Sequence, residues 1–121
     1  MTLKRGKAMR RTDRGMVTIE LAVGLLTAGL AVVLACWVVN LVILQTRCAD
    51  TAAQVARQLA RDDQPAAQQA QQRAPKGATT RISHAERTVT VRVDLDARLG
   101  KLGPVHLVGG ATADLEPGVT R

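Results

Sequence analysis

The chain has almost no aromatic residues. Trp37 is the only one among 121 residues, and Phe and Tyr are absent. Large aromatic side chains usually supply much of the buried area of a soluble core. Here the 46% hydrophobic content is mostly Val, Leu and Ala, concentrated in one block. The same lack removes the stacking platform that single-stranded nucleic acids need. A formal charge of +7 does not restore that reading, because it is unevenly spread. Residues 1–15 hold Lys4, Arg5, Lys7, Arg10, Arg11 and Arg14 against Asp13 alone, and the rest of the chain is close to neutral. No nucleic-acid partner is expected.

Groups for catalysis or metal binding are equally scarce. Ser83 is the only serine, and its neighbour is His84. Adjacent residues on a strand point to opposite faces, which places a Ser–His pair badly. Asp94 and Asp96 share a strand face with Arg92, the pattern of a solvated polar surface. Two histidines and two distant cysteines do not make metal-ligand spacing. The expectation is no enzyme, no metal, no cofactor and no small-molecule substrate. Cys36 and Cys48 lie twelve residues apart, about 18 Å of rise on a continuous helix. A disulfide needs Cα atoms within about 7 Å. Cys36 reads as a small apolar filler. Cys48, just past the apolar block, is either a free thiol or a cross-link between two chains in an oxidising space.

What is present in quantity is one apolar run. Leu21 to Leu44 is 24 residues without a charge, and Asn40 is its only strongly polar side chain. Apolar residues occur on all sides of it. As a helix it covers roughly 36 Å, enough for a hydrocarbon core of about 30 Å. It is long for the apolar part of a secretory signal, although "LAC" and "TAA" near its end offer small residues to a signal peptidase. The basic leader puts the N-terminus in the cytoplasm. Arg10-Arg11 has no apolar continuation and reads as plain positive charge, not a twin-arginine signal. Asn40 either bonds across helices or sits near the outer interface.

Beyond Leu44 the helix is expected to continue. "QTRCADTAAQVARQLARDD" has no Gly or Pro, and Cys48, Ala52, Val55 and Leu59 form one narrow apolar stripe. The spacing predicts one helix from about Met16 to about Asp63, with Pro65 limiting it. "QPAAQQAQQRAPKG" is low-complexity and polar, either a frayed helical turn or a linker. From Thr79 the period changes to two. Val89, Val91, Val93 and Leu95 point one way, and Thr88, Thr90, Arg92, Asp94 and Asp96 the other. "TTRIS" pairs with this strand as a hairpin across "HAER". "VHLVGGATADLE" makes a third strand with a bulge expected at Gly109-Gly110, joined through a loop "RLGKLGP". A tail this small needs a cover for its apolar sheet face, and the Cys48–Leu59 stripe supplies one. The expected fold class is α+β: a long N-terminal helix, then a small antiparallel sheet. The expected organisation is a basic cytoplasmic leader without regular structure at 1–15, a transmembrane helix at 16–44, and its amphipathic continuation at 45–63. A polar linker at 64–78 and the sheet at 79–121 complete it.

Glu20 stands just inside the apolar run. A carboxylate within a membrane helix costs roughly 2.5–3.5 kcal/mol on insertion scales, less near an end where it can reach the interface. The plain reading is an interfacial Glu paired with Arg14 of its own chain. The flanking residues offer another. A basic leader ends in Gly15, the apolar run starts at Met16, and Glu20 is the fifth residue from Met16. This resembles the processing signal of type IV prepilins. "RGMVTIELAVGLL", with the tail "TVTVRVDLDARLGKLGPVHLVGG", resembles TadE-family minor pilins of the tight-adherence (Tad, Flp) pilus, in the form common in high-GC Gram-positive bacteria. The resemblance covers most of the chain and is most specific over residues 14–26. The family often has an aromatic where this chain has Leu21, and a Pro where it has Leu26.

The resemblance implies a pilin-like fold and cleavage between Gly15 and Met16 by a membrane prepilin peptidase. Cleavage exposes an α-amine on Met16, largely protonated at neutral pH. A Glu20 carboxylate on a neighbouring subunit then matches that amine and fixes subunit register. The implied partners are the membrane (single pass, N-terminus inside), the prepilin peptidase, and other pilins or Tad machinery subunits. The implied settings are a surface pilus, adhesion or secretion. The alternative is a single-pass anchored protein, never processed, whose small outer domain binds a partner.

Overall fold

The structure, a computed structural model, describes residues 10–118. The fold is α+β: a long apolar helix, a short helix and a three-stranded antiparallel sheet. The elements are α1 (Arg10–Ala60), α2 (Gln64–Gln72), β1 (Thr79–His84), β2 (Thr88–Leu99) and β3 (Leu102–Asp114). The chain divides into two units, Met1–Cys36 and Trp37–Arg121.

In the first unit, α1 is bare. Every side chain from Gly15 to Cys36 is exposed. Met16, Leu21 and Leu26 are 70%, 63% and 76% exposed, in a helix long and apolar enough to cross a membrane. A helix pairs its backbone groups internally, so even so apolar a segment leaves none of them open along its length. Thr27 follows the same rule. Its hydroxyl donates to the Val23 carbonyl at 2.8 Å, so it is not left unpaired. The helix begins at Arg10, six residues before the expected start at Met16. Residues 10–15 therefore depart from the expected leader without regular structure. They include no proline, and extending a formed helix avoids the cost of a new nucleus. The rest of that leader, residues 1–9, lies outside the described residues.

In the second unit, the outer part of α1 covers one face of the sheet. Cys48, Ala52, Val55, Ala56 and Leu59 of α1 meet Val89, Val91, Val93 and Leu95 of β2 and Leu107 of β3. The stripe and the alternation read from the sequence face one another. Val55, Val89, Val91 and Val93 are fully buried, each contributing about 1.5–3 kcal/mol on burial. With no aromatics in this core, the layers must approach closely.

The end of α1 differs from expectation. It stops at Ala60 rather than near Asp63. Asp62 takes a left-handed backbone (φ 59°), and Asp62 N–H donates to the Leu59 carbonyl at 3.0 Å. Asp63 then caps α2, its carboxylate accepting from Ala66 N–H at 3.1 Å. Pro65 sits in the first turn of α2, where its missing N–H costs nothing. Residues 64–72 are thus a helix that buries Ala67 and Ala70, not a linker.

The strands lie in the order β1-β2-β3. The β2–β3 connection is a two-residue hairpin turn at Gly100-Lys101, with Leu99 opposite Leu102, and not the longer loop expected. Gly100 supplies the positive φ (53°) at the first turn position. Pairing runs unbroken from Thr88↔Asp114 to Ala97↔Val105, so there is no bulge at Gly109-Gly110. The irregularity lies between Ala97 and Leu99. Beyond β3, Leu115 N–H donates to the Arg87 carbonyl (2.8 Å) and Glu116 N–H to the Ala60 carbonyl (3.1 Å). Arg61 and Glu116 pair at 3.2 Å, an exposed contact that contributes little.

Candidate functional site

The residues singled out at the N-terminus share one stretch of α1. Gly15, Met16 and Glu20 are all helical and exposed. Met16 and Glu20, four apart, fall on one side of the helix. Val17, Glu20, Leu21, Gly24 and Leu25 line a shallow hollow on that flank. Gly24 leaves it unfilled, since a Cβ there would meet nothing within 4 Å. Among the described residues Glu20 has no hydrogen-bond or ion-pair partner. The Arg14 side chain, the partner in the plain reading, lies outside the described side chains. A carboxylate on an otherwise apolar exposed flank can accept hydrogen bonds or a cation from a second molecule.

Of the two readings of Cys48, the structure keeps the free thiol and removes the cross-link. Cys48 is 0% exposed, under the sheet, so its thiol is not presented for a cross-link between chains. Burial pushes its pKa up, and the Asp94 charge pushes it the same way. The accessible thiol is Cys36. Asn40 is exposed on α1.

The outer face of the sheet carries the remaining polar groups. Asp94 lies between two guanidiniums, Arg92 at 3.4 Å and Arg81 at 3.7 Å. The Arg81 distance is too long for a hydrogen bond, and it leaves Asp94 Oδ2 buried without one. Asp96 pairs with His106. Sequence reading missed His106, because the 96↔106 register appears only once the β2–β3 turn is known to be two residues long. Ser83 donates to the Thr90 carbonyl at 3.4 Å, on the face opposite His84. So Ser83 and His84 do not converge, and Asp94 and Asp96 each face a basic group. Among the described residues no group of three His, Cys, Asp or Glu is placed to hold a metal. No protein-family model, curated protein or solved structure matches the chain.

Proposed function

We propose that this chain is a minor pilin or pseudopilin of a Tad-type pilus or secretion system. It enters the membrane through α1 with its N-terminus in the cytoplasm and its sheet outside. A prepilin peptidase cuts between Gly15 and Met16, and the protein then joins other pilins or Tad machinery subunits through the helix. It carries out no catalysis and needs no cofactor. Single-pass membrane localisation, with passage into a surface pilus, belongs to the same reading.

One observation carries it. Glu20 stands without a partner among the described residues, on a bare apolar helix, one turn from Met16. A lone intramembrane carboxylate calls for a cation, and leader removal creates one at the Met16 amine. Matching that amine to the Glu20 of a neighbour fixes the axial position of one helix against the next. Helix α1 is bare on all sides along this stretch, as an assembling helix needs to be.

A second reading has its own support. The Gly15–Met16 peptide lies inside α1, where the Gly15 carbonyl is engaged by the helix. A peptidase must open that turn. Glycine is the weakest helix former after proline, which lowers the cost of opening there. If the turn stays closed, the chain is an unprocessed anchor whose small outer domain binds a partner. N-terminal sequencing of the chain co-expressed with its peptidase separates the two. A sequence starting at Met16 supports the pilin. A sequence still starting at Met1 or Thr2 removes it.

A further inference from the structure

The two edges of the sheet are not alike. Edge strands expose a row of unpaired backbone groups, and proteins normally cover or interrupt them. On the β3 edge one outward carbonyl is occupied and the strand carries a proline. Gln45 of α1 donates its side-chain amide to the Val108 carbonyl at 2.7 Å. Pro104 interrupts the same strand. The β1 edge has no such device. Its sequence, TTRISH, contains no proline or lysine, and it pairs with β2 without a bulge.

The register shows which β1 groups are open. Alternate residues of an antiparallel strand send both backbone groups to the same side. Thr88 exchanges backbone bonds with Ala85, so Thr90, Arg92 and Asp94 face β1. Their partners Ser83, Arg81 and Thr79 face back. Thr80, Ile82 and His84 therefore point their N–H and C=O groups outward, and among the described residues nothing accepts or donates there. Ile82 is also the only large apolar side chain on β1, and it is 38% exposed. Its cross-strand partner Val91 is 0% exposed. The apolar layer thus runs out to this edge and ends on a half-covered isoleucine.

We infer that β1 is a docking edge for β1 of a second copy of this chain, giving a continuous six-stranded sheet. The occupant follows from the sequence of the strand. An antiparallel pairing centred on Ile82 sets Ile82 against Ile82 of the second copy. It sets Thr80 against His84 and Arg81 against Ser83. No like charges stand directly opposite, and the one fixed charge on β1, Arg81, already faces Asp94 of its own sheet. The contact is isologous and uses the β1 edge of both copies, so no β1 edge is left to take a third. This pairing stands on the sheet alone and does not rest on the pilin reading, which uses Glu20 and α1.

Oxidative cross-linking of the full-length chain in detergent tests it, in a Cys36→Ser background that removes the exposed thiol. Ile82→Cys is expected to form a dimer at least about tenfold faster than Lys101→Cys at the tip of the β2–β3 turn, because pairing raises the local thiol concentration. Mixed Thr80→Cys and His84→Cys chains are expected to link to each other more than either links to itself. Ile82→Lys added to that pair is expected to abolish the link. Equal rates at positions 82 and 101, or no preference in the mixture, overturn the pairing. Positions 82, 84 and 101 are exposed and position 80 is half-buried, so folding of the buried core is not at issue. Glu20→Ala is expected to leave the position-82 link unchanged, so the sheet contact and the helix contact can fail separately.

Discussion

Gly109 of β3 lies directly against the backbone of Cys48 in α1. A Cβ at position 109 would collide with the Cys48 carbonyl group and the Ala49 nitrogen. These are backbone atoms, which cannot swing aside as a flexible side chain does. The contact sets how closely the helix rides on the sheet. It explains how a core of valine, leucine, alanine and one cysteine closes without aromatic bulk.

Gly109→Ala is therefore expected to destabilise the second unit by at least about 1–3 kcal/mol, the usual cost of overpacking. Gly110→Ala is the control. Its Cβ would come no nearer than 4.0 Å to the Val91 carbonyl oxygen, and its cost should stay within about 0.5 kcal/mol. Denaturant unfolding of the two variants checks the difference. Equal stabilities would mean that the helix does not rest on β3 at this point.

The two glycines also show where the sequence was legible and where it was not. A glycine in a strand signals either a bulge or a close approach of another backbone. The sequence alone reads Gly109-Gly110 as a bulge, and only the position of α1 shows that one of them is a contact. Elements with a strict period were plain: Val89 to Leu95 at period two, and Cys48 to Leu59 along one helical stripe. Elements defined by punctuation were not. Pro65 reads as a stop, yet together with Asp63 it starts α2. Gly100, Gly103 and Pro104 read as loop, yet the strands run to within two residues of each other. The same error concealed the Asp96–His106 pair. At the candidate site, Gly15, Met16 and Glu20 stood out through the resemblance to a prepilin processing signal, whereas the helical state of the Gly15–Met16 peptide depends on α1 extending back to Arg10.

The α2 start gives a second stability prediction. Asp63→Ala removes the acceptor for Ala66 N–H and is expected to cost about 0.5–2 kcal/mol, while Asp63→Asn or Asp63→Ser should cost much less. Thermal unfolding followed by circular dichroism checks the ranking. If alanine and asparagine are equivalent, the cap is not holding α2.

Cys48 gives a third, with a pH dependence. Its folded pKa lies above the ordinary value of 9.0, raised first by burial and then by Asp94. The folded state then holds this proton more tightly than the unfolded state. The contribution is complete below about pH 9, the unfolded range, and is lost as pH rises toward the folded pKa. The stability difference between the wild type and Cys48→Ala should shrink as pH climbs above 9. In a Cys36→Ser background a maleimide should label Cys48 only on unfolding. Rapid labelling of the folded protein would place Cys48 at the surface and restore it as a cross-linking thiol.

Glu20 tests the assembly proposal most directly. The carboxylate is a cost to insertion and, on the proposed reading, a requirement for assembly. The two effects predict opposite responses. Glu20→Ala and Glu20→Gln should enter the membrane at least as well as the parent, since each removes a charge. Both should be recovered much less in pili or with the other assembly subunits, Gln included, because a neutral amide cannot match the Met16 ammonium charge. Glu20→Asp keeps the charge on a shorter arm and should fall between. A purely interfacial Glu20 gives another ranking, with all three variants incorporated alike. Fractionation of membrane and sheared-pilus pools measures both quantities on the same cells. Normal incorporation of Glu20→Ala would remove the role assigned to the carboxylate, even if cleavage after Gly15 were intact, and would leave helix register to packing alone.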